Sequence, residues 1–215
     1  MIDQPVALDD MERDALTELV NVGIGRAAIN LRTMINHEVR LSVPSVAITK
    51  RSQLALSLSA HGETGLVAVR QSFEGEVSGR AMLIFPETNS LELVRAVTGG
   101  TLPVEDIVAL EHEALAETGN VILNGCLAAI ANMLRRSLRM SLPEVIRGSA
   151  MELFGPPRAD DIVLLIYINF AVDAREIKGY IAMVMDLPAL RTLRQLLRGL
   201  IGAGGTAVAA SHATP

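Results

Sequence analysis

The chain has 215 residues, half of them hydrophobic and a fifth charged, with a formal net charge of −5. That excludes a disordered chain and argues against a nucleic-acid partner, because phosphate backbones need a concentrated basic surface. A single cysteine, Cys126, rules out a disulfide framework within the chain and fits a reducing cytoplasm.

The N-terminal stretch MIDQPVALDDMERD is acidic, with neither a basic nor an apolar segment of the kind a signal peptide needs. No uninterrupted apolar run reaches about 18 residues, so no membrane span is expected. A helix is expected from about Asp10 to Leu31, capped by Asp9 or Asp10. At about 100° per residue, Leu16, Leu19, Val20, Ile24, Ala27 and Leu31 form one apolar stripe. Asp14, Glu18 and Asn21 stack in a line roughly 130° away from it. Gly25 continues that line, and glycine there would let a partner's backbone approach. Gly23 points nearer the stripe, where packing explains it.

Pro44 follows at the start or bend of a strand, on an edge or at a bulge. Leu66 to Phe73 and Gly79 to Phe85 read as strands joined at Glu74-Gly75, and Thr88 to Val97 reads as a helix ending at Gly99-Gly100.

The pattern then repeats. Asp14 to Pro44 aligns without a gap to Glu113 to Pro143, a shift of 99 positions. The line Glu113, Glu117 and Asn120 recreates Asp14, Glu18 and Asn21, with Asn124 in place of Gly25. Adjacent like charges four residues apart slightly destabilise a helix, and Asn is a mediocre helix former. An ordinary solvated face accounts for one such line, but its recurrence points to function. Shared descent of the two copies would also preserve it.

Strands at Ile162 to Val172 and Ile177 to Met185 flank Asp173-Ala174-Arg175, and Leu187 to Ile201 reads as a closing helix. Cys126 lies in the apolar run Val121 to Leu134 and reads as a small buried hydrophobe. Arg135, Arg136 and Arg139 read as a solvated group near a helix C-terminus. His37, His61, His112 and His212 show no metal-ligand spacing.

The expected fold is α+β and internally duplicated with pseudo-twofold symmetry: one antiparallel sheet of about six strands with the two long motif-bearing helices packed on it. The two repeats, about 10–100 and 105–201, form a single domain, with 202–215 as a flexible tail.

This arrangement resembles the CheC/FliY/CheX family of chemotaxis phosphatases, most closely the two-site CheC type. The family motif is Asp or Ser, three residues, Glu, two residues, Asn, twenty-two residues, Pro. Asp14, Glu18, Asn21 and Pro44 match it throughout. Glu117, Asn120 and Pro143 match in the second copy, where Glu113 replaces the usual Asp or Ser. The resemblance implies hydrolysis of the aspartyl phosphate of a CheY-like response regulator. Asn21 and Asn120 would position water, a role open to a neutral carboxamide. Glu18 and Glu117 would dock to the regulator's active-site lysine, with Asp14 and Glu113 in support. No cofactor is expected on this chain, and magnesium is expected on the regulator. The receptor deamidase CheD is a further partner the resemblance implies. The alternative is a non-catalytic flagellar-switch or adaptor protein that binds the regulator or CheD.

Overall fold

The computed structural model describes residues 8–35, 38–60, 65–97, 103–155, 162–172 and 175–211. His37, His61, His212, Gly99-Gly100 and Asp173-Ala174 lie outside them. Helix α1 (Asp10–Ile35) precedes strand β1 (Val39–Lys50), which passes straight into helix α2 (Arg51–Ala60). Strands β2 (Leu66–Gly75) and β3 (Gly79–Pro86) form a hairpin, followed by helix α3 (Glu87–Val97). Helix α4 (Val104–Met133) then leads to strands β4 (Leu138–Met140) and β5 (Glu144–Gly148) and helix α5 (Ala150–Phe154). Strands β6 (Ile162–Val172) and β7 (Arg175–Met185) form a second hairpin, and helix α6 (Leu187–Ser211) ends the described chain.

The fold is α+β, with one antiparallel sheet in the order β1-β6-β7-β3-β2-β4, and β5 also pairs with β2. Among the described residues the sheet has seven strands where about six are expected. The segment around Pro143 leaves the ladder at 141–143, because proline cannot donate to it, so one strand becomes β4 and β5. Pro44 meets the same problem in β1. The register against β6 shifts between Ser42 and Ser45, so the proline falls in an irregularity on an edge strand.

The sheet is covered on both faces. The apolar stripe of α1 is buried, with Leu16, Val20, Ala27 and Leu31 fully enclosed. It packs with α3, α4 and α6 over Val67, Val69, Leu83, Leu164 and Ile166. Leu54, Leu58, Leu153 and Phe154 of α2 and α5 cover Leu66, Ala68, Ile84 and Val163 on the opposite face. A sheet buried on both sides explains the unbroken apolar runs in β2 and β6, where alternation would mark a wet face.

Several boundaries differ from expectation. The first hairpin turns at residues 76–78, not at Glu74-Gly75, because Glu74 and Gly75 still pair with Arg139 and Leu138 of β4. Helix α6 continues to Ser211, so most of the expected tail is helical. Its alanines favour helix over the roughly 1 kcal/mol cost of each glycine. The Arg135-Arg136 pair lies just past α4 instead of within it. The backbone N–H groups of Arg135 and Arg136 donate to the carbonyls of Asn132 and Ala131, closing the helix end, with Arg135 at φ 54°.

Among the described residues one segment, Ala109–Asn132, is long and apolar enough by composition to cross a membrane, despite its interrupting charges. Within the fold 56% of its apolar window is buried, as in a core helix.

Candidate functional site

The α1 line is built from its cap outward. The backbone N–H of Glu12 donates to Asp9 Oδ1 at 2.8 Å, and the Asp9 N–H donates back to Glu12 Oε2 at 3.0 Å. This reciprocal cap fixes where the helix starts. Glu12 is fully buried and also accepts from Arg194 and Arg198 of α6 at 3.0 and 2.6 Å, tying the start of α1 to the closing helix. With the helix so placed and its stripe buried, Asp14, Glu18, Asn21 and Gly25 all face outward and are exposed. Neither carboxylate pairs with a described cation, and the Asn21 carboxamide has no described hydrogen-bond partner. A Cβ on Gly25 would meet nothing within 4 Å. Met11 and Ile29, 64% and 65% exposed, bracket the line at helical spacing. Their sequence signal is helical spacing: each sits three or four residues from a member of the line.

The α4 line is built differently. Glu113 and Glu117 are exposed and unpaired among the described residues, but Asn120 and Asn124 are half-buried. Gln71 of β2, 1% exposed, donates through Nε2 to Asn120 Oδ1 at 3.1 Å and to the Ser141 carbonyl at 2.9 Å. Asn124 Nδ2 donates to the same Asn120 oxygen at 2.7 Å. The Ser72 N–H donates to Ser141 Oγ, and the Ser141 N–H to the Ser72 carbonyl, both at 2.9 Å. Asn120 is thus linked through one buried amide to the chain just before Pro143. Beside that half-buried proline, Leu142 is 88% exposed. Sequence spacing along the helix held no sign of Gln71, which lies 49 positions from Asn120.

The two long helices meet at glycines. A Cβ on Gly23 would lie 2.6 Å from the Gly125 carbonyl oxygen, and one on Gly125 would lie 2.9 Å from Ala27 Cβ. Gly23 is therefore a packing residue, as the helical wheel expects. Cys126, beside this contact, is fully buried, and burial pushes its thiol up to about 12, so it is an inert part of the core. Among the described residues no three His, Cys, Asp or Glu side chains gather closely enough to hold a metal.

No protein-family model matches the chain. Curated relatives do, two of them from Bacillus subtilis. One is the flagellar motor switch phosphatase FliY of Bacillus subtilis, 24% identical over 196 residues, covering 90% of this chain. The chain spans half the length of that relative. The other is the CheY-P phosphatase CheC of Bacillus subtilis, 22% identical over 200 residues, covering 86% of this chain and 93% of the relative. The fold is similar to that of Thermotoga maritima FliY, with a TM-score of 0.72, 17% identity, and coverage of 90% of this chain and 98% of that one. FliM from an H. pylori FliM–SpeE complex shares the fold at a TM-score of 0.65 and 8% identity, covering 89% of this chain and 97% of that one. In sequence and in fold the chain is thus similar to proteins of the CheC/FliY/CheX family.

Proposed function

We propose that this protein hydrolyses the aspartyl phosphate of a CheY-like chemotaxis response regulator. The observation that carries the reading is the outward line of α1, where an exposed carboxamide stands one turn from an exposed carboxylate, both without a partner among the described residues. The names of the two curated relatives, both phosphatases, support it.

Docked on a regulator, Glu18 pairs with the active-site lysine and sets the register of α1. Asn21 then enters the phosphorylated site. Its Oδ1 accepts an O–H from water, and its Nδ2 donates to a phosphoryl oxygen. The water oxygen attacks phosphorus in line with the aspartyl oxygen. The P–O bond to the aspartate breaks, the regulator's carboxylate leaves with the electron pair, and the water proton ends on inorganic phosphate. Such a reaction needs position and charge balance more than covalent help from the protein. A neutral amide brings no negative charge to the phosphoryl group, and magnesium on the regulator would offset the charge already there. Glu117 and Asn120 form the second copy, with Asp14 and Glu113 in support. CheD is the further partner expected from the family resemblance.

The test is the lifetime of a phosphorylated CheY-like regulator. The wild-type protein shortens it, and the Asn21→Ala/Asn120→Ala double variant slows that reaction on the order of a hundredfold with an unchanged circular dichroism spectrum. Undiminished activity in the folded double variant would sink the mechanism. Binding of the regulator by the wild-type protein with no change in lifetime would identify an adaptor instead.

A further inference from the structure

We propose that Gln71 makes the two copies unequal: it pins the Asn120 carboxamide oxygen inside the fold, so the water-orienting role falls mainly to Asn21. This inference rests on the phosphatase reading for its consequence, but the pinning itself does not.

The orientation of the network follows from one fixed group. The Ser141 backbone carbonyl can only accept, so the atom of Gln71 facing it at 2.9 Å is the amide nitrogen. The second N–H of that nitrogen then points at Asn120, which must offer its oxygen. Asn124, facing the same oxygen at 2.7 Å, must in turn offer its nitrogen. Every amide assignment is therefore set by a backbone atom, which removes the usual ambiguity between amide oxygen and nitrogen.

A carbonyl oxygen has two lone pairs. Gln71 and Asn124 occupy both on Asn120, leaving its NH₂ to donate and nothing to accept an O–H from the attacking water. Swinging Asn120 outward would strand a buried N–H of Gln71, and burial makes that costly. Neither donor exists in the first copy. Ser42 pairs with Asn169 as Ser141 lies against Ser72, so the residue in the place of Gln71 is Ile168, a buried core side chain, and Gly25 corresponds to Asn124. Asn21 therefore keeps both of its functions.

Gln71 is thus a positioning residue, and two measurements test its role. The first is solvent exchange of side-chain amide protons by NMR. Those of Gln71 exchange at least tenfold more slowly than those of exposed Gln195, and one of the pair shifts in Asn120→Ala. Exchange as fast as that of Gln195 would overturn the pinning whether or not the protein is a phosphatase. The second is regulator dephosphorylation. Asn21→Ala loses at least fivefold more activity than Asn120→Ala. Adding Asn124→Ala to Asn21→Ala frees one lone pair of Asn120 and recovers activity severalfold; Gln71→Leu does the same if it folds. Equal losses in the two single variants, or no recovery with Asn124→Ala, would refute the inequality. A wild-type protein without effect on the regulator would refute the phosphatase reading alone, and amide exchange would still decide the pin.

Discussion

Glu111 shows how a single side chain can couple this fold to pH. Its carboxylate accepts from Ser90 Oγ of α3 at 2.7 Å and pairs with Arg147 of β5 at 2.6 Å, and its side chain is 12% exposed. Burial pushes its pKa up, but the hydrogen bonds from Arg147 and Ser90 and the charge of Arg147 outweigh burial and hold it below the ordinary value of 4.5. A carboxylate depressed on folding stabilises fully above its unfolded pKa and loses that contribution as pH falls through the lower folded value. Glu111→Gln should therefore lower stability at neutral pH by about 1 kcal/mol, discounted because Arg147 is partly exposed. The gap from wild type should close as pH drops below 4.5 in urea titrations at stepped pH. A gap constant from pH 7 to pH 3 would contradict this. Glu111, like Gln71, was illegible in the sequence. Its partners lie 21 and 36 positions away on other elements, and periodicity reports only which face of its own helix a residue occupies.

Between elements, two glycines of α1 make opposite predictions from the same residue type. Gly23 faces the Gly125 backbone, where a methyl group has no space. Gly23→Ala should destabilise by about 1–3 kcal/mol, the usual cost of overpacking. Gly25 faces open space, so Gly25→Ala should stabilise by about 0.5–1 kcal/mol through helix propensity alone. Chemical denaturation reads both, and a shared sign would show that the two positions are not distinguished by packing. The wheel separates them because α1 is long and strongly patterned: its six expected core residues are all buried and its outward line is all exposed. The strands were legible for a similar reason, being apolar runs bounded by turn residues. Helices α2 and α5 were not, since RSQLALSLSA and AMELF are too short for a clear period. A signal for them did exist. Leu66-Val67-Ala68-Val69 and the run Ile162 to Ile166 are apolar on both faces, and a two-faced apolar strand requires cover on each.

The whole molecule is set by which strands pair. Moving each element 99 positions along the chain carries β1 onto β4 and β5, β2 onto β6, and β3 onto β7. The sheet order is unchanged by that exchange apart from its direction. Among the described residues, only the hairpins β2–β3 and β6–β7 pair strands from the same half. Edge strand β1 lies on β6 of the other half, β4 and β5 lie on β2, and β3–β7 joins the halves at the centre. The helices follow suit, with α1 packed against α4 through Gly23 and Gly125. A half cut at residue 102 would thus keep one hairpin, lose the ladder partner of its outer strand, and expose the α1 stripe and both edges of its hairpin. A two-stranded hairpin is at best marginal in water, and unpaired edges invite association. Residues 1–102 and 103–215 produced separately should show no cooperative monomeric unfolding. Mixed in equal amounts, they should recover a single transition and the helical signal of the intact chain. Cooperative unfolding of either fragment as a monomer would mean that the exchanged strands are not what holds the sheet together.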